Sequence, residues 1–168
     1  TVIRSPENEG FSKANNRALQ TIGTEFALIL NPDARLTSPA IPQLLAAADR
    51  RPEAAALGPK TLFEDGRAQV SFGPDLSPLA EYRQGRLVKG VKAGERWALE
   101  ALRAATLEER EVDWVSGSCM LLRMSAARAV GFFDERFFLY EEDADLCLRL
   151  RKAGGRVLFA PGALVHHR

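Results

Sequence analysis

Cysteine is scarce. The 168-residue chain has two, Cys119 and Cys147, far apart and with no CxxC spacing. This argues against a disulfide framework or a zinc knuckle and makes a reducing compartment the default. Long apolar runs are missing too: none approaches the roughly 18 residues that a membrane-spanning helix needs. Neither sign of charge is in excess. The formal net charge is +1, so no global field advertises nucleic acid or a membrane surface. Histidine occurs only as the neighbours His166 and His167. There is no internal repeat and no low-complexity tract. What remains is ordinary globular composition, 46% hydrophobic and 27% charged, enough for one domain with a real core.

Short apolar runs alternate with amphipathic ones. Val2 and Ile3 suit a short strand before the loop SPENEG. Ser12 is placed to cap a helix through KANNRALQTI, with Gly23 as its stop. FALIL is continuously apolar, as in a strand buried on both faces, and ends in the turn NPDA. Ser38 is placed to cap a helix running to about Arg50. AAALGPKTLF reads as strand and loop, and EDG turns the chain toward AQVSF as a hairpin. Residues 73–111 lack a clear period and read as an excursion, the variable part being 65–111, with a helix over about 95–105. VDWVSGSCMLLRM reads as strand, Ser125 caps a short helix stopped by Gly131, and RVLFA is a strand broken by Pro161. This alternation predicts an α/β fold with a mostly parallel central sheet flanked by helices. In such sheets ligands sit at the carboxyl ends of strands, where NPDA falls.

The stretch FFLYEEDADLCLRLRKAGG, residues 137–155, holds Glu141, Glu142, Asp143 and Asp145 within five positions. Acids in a first helical turn and bases in the last complement the helix dipole, and Asp145 with Arg149 makes an i,i+4 pair. Helical spacing separates the acids. Asp143 shares its face with the apolar Leu146, Cys147 and Leu150. Asp145 shares its face with Leu148, Arg149 and Lys152, and the face of Glu142 is mixed. Asp143 is therefore expected at the inward edge of a helix N-terminus, placed for general-base work. The aromatic run before it, from Phe132 to Tyr140, reads as a packing wall, with sugar stacking as the alternative. Asn31 and Asp33 in NPDA are turn formers, or else offer Asp33 to a divalent cation bridging a diphosphate. His166 and His167 point to opposite faces of a strand, so at most one faces a cleft.

Together, NEGFSKANNRAL (8–19), LILNPDA (28–34), the run from DWVSGSC to RKAGG (113–155) and VLFAPGALVHH (157–167) resemble the inverting glycosyltransferases of family 2, with the GT-A fold. Within that family the chain looks similar to bacterial rhamnosyltransferase-like enzymes of cell-surface polysaccharide assembly. The resemblance implies transfer of a sugar from a UDP- or dTDP-linked donor to a hydroxyl of a glycan or lipid-linked acceptor. It implies Asp143 as catalytic base, and Asp33 and His167 as ligands of Mg2+ or Mn2+, with Asn31 in place of the first acid of the DxD-type motif. Asn31, Gly10, Asn16 and Gly117 would lie on the donor side, and Trp114, Asp113 and Glu142 on the acceptor side. It further implies a cytoplasmic place, peripheral at the inner membrane face, and no nucleic-acid partner.

The family begins with a strand–helix–strand unit carrying a DNxSxDGS-like loop that holds base and ribose. Such a unit takes roughly 30 residues and does not precede TVIRSPENEGF in this sequence. The expectation is thus a partial catalytic domain over residues 1–168, truncated at its N-terminus. Alone it would bind donor weakly or not at all, and an exposed sheet edge could let it self-associate. Two alternatives stand beside the transferase. One is a non-catalytic binding domain. The other is a metal-dependent nucleotidyltransferase, which would need a Gly-rich basic phosphate loop that is not seen here.

Overall fold

The computed structural model describes residues 2–74 and 77–168, so the part of the expected excursion at 75–76 lies outside the described residues. In chain order the elements are α1 (Gly10–Leu19), β1 (Phe26–Leu30), β2 (Ala34–Leu36), α2 (Ala40–Arg50), β3 (Ala54–Leu62), β4 (Phe72–Gly73), α3 (Pro78–Ala93), α4 (Arg96–Ala105), β5 (Arg110–Glu111), β6 (Trp114–Val115), β7 (Cys119–Arg123), α5 (Met124–Ala129), α6 (Glu142–Lys152) and β8 (Arg156–His167).

Strands β1, β7, β3, β8 and β2 line up in that order, β5 adds to β8, and β4 pairs with β6 in a small separate ribbon. The class is α/β with a central sheet between helices, as expected, but the pairing corrects the mostly parallel picture. Among the described residues only β3 and β8 pair in parallel; β1–β7, β7–β3, β2–β8 and β5–β8 are antiparallel. The alternating pattern misleads for a topological reason. The β1–α2–β3 crossover does set β1 and β3 in the same direction, but β7 inserts between them with the opposite sense. On the far side of β7, β1 is an outer strand of the sheet among the described residues.

Alternation along the strands feeds two cores. Met120 and Leu122 of β7, with Val157 and Phe159 of β8, pack with Leu19 of α1, Met124 of α5, and Leu146 and Leu150 of α6. The intervening Leu121, Leu158 and Ala160 meet Leu44, Ala47 and Ala48 of α2. The sheet is thus covered on both faces. Strand β8 passes Pro161 by a register shift, pairing Ala160 with Pro59 but Leu164 with Lys60.

Several local expectations shift. Val2 and Ile3 form no strand. Helix α1 starts before Ser12, at Gly10, whose N–H donates to the Asn8 side chain; Ser12 is buried inside the helix. Pro39 and Arg123, rather than Ser38 and Ser125, precede α2 and α5, and neither cap bonds through its side chain. The excursion holds the expected α4 and also the 16-residue α3, capped by the Ser77 hydroxyl, with Pro78 in its first turn and the left-handed Gly94 at its end. Helices α3 and α4 share a third small core of Val91, Ala98 and Leu102. Gly90 permits their contact, since a Cβ there would stand 2.7 Å from that of Ala98.

Candidate active site

The NPDA turn and the end of β8 meet through strand pairing. Antiparallel β2–β8 register sets Ala34 opposite His167 and Arg35 opposite His166. This brings His167 Nε2 to 3.3 Å from Asp33 Oδ1, while His167 Nδ1 lies 3.2 Å from Gln69 Oε1. His167 Nε2 is buried and has no hydrogen-bond partner, and the same holds for His166 Nδ1. Pro32, Asp33, Glu64, His166 and His167 line a small hollow of about 210 Å³. Among the described residues no three His, Cys, Asp or Glu side chains cluster as a metal site. Gln69 carries no signal in the sequence, because its place beside His167 depends on the hairpin after β3, where its N–H donates to the Thr61 carbonyl.

The second group forms at the N-terminus of α6. Tyr140 and Glu141 both adopt positive φ, +71° and +66°, a strained pair for non-glycine residues that turns the chain sharply into the helix. Asp143 then accepts hydrogen bonds on both oxygens, from the Gly117 N–H (2.8 Å) and from the Ala144 N–H (2.8 Å). Glu142, not Asp143, is the most buried of the four acids, 6% exposed and with Oε2 unpartnered. Helical facing alone ranks Asp143 innermost; in the structure Glu142, just after the positive-φ residues 140 and 141, is the buried one. Burial foremost, with the charges of Asp143 and Glu141 adding, raises the Glu142 pKa above the ordinary carboxylate value, against an opposing backbone hydrogen bond. Glu141 is raised for similar reasons: burial, Asp143, and Glu81 across the cleft.

This group opens on a cleft of about 430 Å³ lined by Trp114, Ser116, Tyr140, Glu142, Asp143 and, from α3, Gln84. Trp114 is fixed by its indole N–H, which donates to the Pro74 carbonyl at 3.1 Å. Helix α3, unforeseen in the sequence, thus supplies one wall.

The remaining predicted residues fall at different distances from this centre. The turn containing Gly117 links the two groups: Gly117 N–H holds Asp143, and the Ser118 carbonyl accepts the Asn31 N–H at 3.0 Å. Asp113 turns away from the cleft. Trp114, in β6, lines the cleft, whereas Asp113, just before that strand, pairs with Arg151 (2.5 Å) in a neighbouring cavity of about 470 Å³. Gly10 and Asn16 act on the segment before α6. A Cβ on Gly10 would lie 2.7 Å from the Phe138 carbonyl oxygen, which accepts the Phe11 N–H. The buried Asn16 amide clamps the Phe133 backbone, donating to its carbonyl (2.8 Å) and accepting its N–H (3.0 Å). Neither Gly10 nor Asn16 lines the cleft.

With this geometry in view, the whole chain, residues 1–168, matches the family described as Glycosyltransferase like family 2. The chain belongs to that family. It is 36% identical over 181 residues to the N-acetylglucosaminyl-diphospho-decaprenol L-rhamnosyltransferase of Mycobacterium tuberculosis, covering 96% of this chain and 56% of that protein. The chain thus spans little more than half of that relative's length. Over a shorter stretch of 50 residues it is 52% identical to the rhamnosyltransferase WbbL of Escherichia coli, covering 30% of this chain and 19% of that protein. The solved structure of GalNAc-T7 with UDP, GalNAc and Mn2+ superposes with a TM-score of 0.66 at 16% identity, covering 99% of this chain and 32% of that one. The likeness is one of fold, the GT-A fold.

Proposed function

We propose that this chain is part of an inverting glycosyltransferase that moves a sugar from a nucleoside-diphosphate donor to a hydroxyl of a glycan or lipid-linked acceptor. The observation that carries the reading is the Asp143 carboxylate, fixed by two backbone amides at the mouth of the Trp114–Tyr140 cleft. In that place it takes the proton of the acceptor hydroxyl. The oxygen so freed attacks the anomeric carbon, the bond to the diphosphate breaks, and the leaving group departs from the opposite face, so the configuration inverts. Asp143 ends the step protonated. Backbone amides hold the carboxylate without a mobile cation beside it, which favours a fixed approach to the acceptor oxygen.

Asp33 and His167 fit a divalent cation. A buried imidazole nitrogen without a hydrogen-bond partner stands 3.3 Å from a carboxylate oxygen, and Mg2+ or Mn2+ ordinarily takes few ligands from the protein. When bound, the cation would supply charge neutralisation on the diphosphate. Gln69, bonded to the other ring nitrogen, orients the imidazole. Asn31 and Gly117 lie on the backbone path between the cation pair and Asp143 and would border the donor, while Trp114 and Glu142 would border the acceptor. The relatives named above, one acting on a diphospho-decaprenol carrier by its name, make an L-rhamnosyl donor and a lipid diphosphate-linked acceptor the first pair to test.

The test compares Asp143→Asn with the unaltered sequence in a longer form of the same polypeptide. Nucleoside-diphosphate release and the anomeric configuration of the product are followed. The expected outcome is an inverted product, with at least a 100-fold loss of turnover in Asp143→Asn and unchanged donor affinity. A retained configuration, or full turnover in Asp143→Asn, overturns the reading.

A further inference from the structure

Helix α3 carries more than a cleft wall. Within Pro78–Ala93 stand Arg83, Arg86, Lys89 and Lys92 against the single carboxylate Glu81. The helix is therefore +3 in a chain of net +1, leaving −2 for everything else. None of these four cations enters an ion pair among the described residues, whereas arginines elsewhere, such as Arg51, Arg123 and Arg149, do.

Their arrangement is directional. Leu79, Tyr82, Arg86 and Lys89 recur at spacings of three, four and three, one stripe of a helix, and all four are exposed. Leu79 is 59% and Tyr82 64% exposed. The Arg86 guanidinium lies 5.7 Å from the ring of Trp97, itself 46% exposed at the start of α4. The opposite side of α3 is occupied: Val91 is buried with α4, Leu87 packs against it, and Ala80 and Gln84 face the cleft. The outward stripe thus joins an aliphatic side chain, two amphipathic aromatics and a row of unpaired cations. Exposed Tyr and Trp beside Lys and Arg are the side chains that seat a helix in the headgroup layer of a bilayer. Anionic headgroups supply the charge the stripe lacks.

We infer that α3 is a membrane-contact element that lays its Leu79–Tyr82–Arg86–Lys89 face on an anionic lipid bilayer. The chain-wide charge balance conceals it, because the cations concentrate on one helix. Since the inner side of α3 walls the cleft beside Asp143 and Trp114, such docking would hold that cleft against the surface where a lipid-linked hydroxyl is presented. The inference does not depend on the transferase reading: vesicle binding and sugar transfer are separate readouts and can fail separately.

The test is co-sedimentation of the chain with phosphatidylcholine vesicles containing 30% phosphatidylglycerol, and with pure phosphatidylcholine vesicles. Binding is expected to the anionic vesicles only and to weaken with salt. Neutralising Arg83, Arg86 and Lys89 to Gln is expected to lower the partition constant roughly 100-fold. Leu79→Ser with Tyr82→Ser is expected to lower it with little change in salt dependence. Removing three exposed cations elsewhere, Arg4, Lys13 and Lys152→Gln, is expected to cost far less. Circular dichroism confirms that each variant is folded. No binding to anionic vesicles, equal binding to neutral ones, or equal losses for the α3 and control triples overturns the inference.

Discussion

The backbone N–H of Gly117 donates to Oδ2 of Asp143 at 2.8 Å, joining the β6–β7 turn to the first turn of α6. The space around Gly117 is closed from the other side as well: a Cβ there would stand 3.2 Å from Cζ of Phe11 and 3.5 Å from Cβ of Asp143. Gly117→Ala is therefore expected to fold at a cost of about 1 kcal/mol. Its turnover should fall at least tenfold, because a small displacement of the proposed base is amplified in the rate. Thermal unfolding and kcat, with KM measured alongside, check this. A variant with normal kcat would show that this amide does not position Asp143.

The Asp33–His167 pair makes a prediction independent of turnover. Mn2+ that binds the folded chain raises Tm by mass action. The rise should disappear in Asp33→Ala and in His167→Ala and shrink in Gln69→Ala, which loses only the bond that orients the ring. Calorimetry of the unaltered chain and the three variants, with and without Mn2+, measures it. An undiminished Tm rise in both alanine variants would place the cation elsewhere.

Asn16 is the strongest structural prediction. Its side chain satisfies both backbone groups of Phe133 in a buried place, so Asn16→Ala leaves an amide and a carbonyl without partners. The expected destabilisation is about 2–3 kcal/mol. Asn16→Asp should cost at least as much, since the carboxylate can still accept from the Phe133 N–H but would face its carbonyl without a donor. Denaturant unfolding gives the numbers. Hydrogen exchange at Phe133 then tells whether the loss is local to the segment leading into α6.

How far the sequence carried this picture varies from residue to residue. The α/β class, β1, α2, α6 and the strand ending in His167 are legible in the apolar runs and their spacing, although the caps do not fall where expected. The antiparallel insertion of β7 does not, because a strand's sense relative to a neighbour distant in sequence is set by the path of the chain between them. Helix α3 carried its stop and start signals, Ser77, Pro78 and Gly94, but Gly85, Gly90 and an outward face mixing Leu79 and Tyr82 with cations blur the apolar stripe. Glu142 is the instructive residue at the site. Its facing on an ideal helix is mixed, and its burial, behind the left-handed turn at Tyr140 and Glu141, emerges only in the fold. Asp113 shows the converse: next to Trp114 in sequence but just outside β6, it pairs with Arg151 and faces away from the cleft.

Glu142 also sets a pH dependence. Its ordinary value is 4.5, and in the folded chain burial raises it. The folded state therefore holds this proton more tightly than the unfolded state does. The stabilisation it brings is complete below about 4.5 and is lost as pH rises through the raised folded value. Glu142→Gln removes the ionisation while keeping the shape. Relative to the unaltered chain, the Gln variant should gain Tm progressively as pH rises from 4.5 toward neutrality and hold that gain above. Asp143 is left in place, so the comparison isolates one carboxylate of the pair. Scanning calorimetry of both proteins at pH 4, 5, 6, 7 and 8 tests the sign directly. A Tm difference that stays flat across this range would mean that Glu142 titrates alike folded and unfolded, and that its burial is relieved in solution.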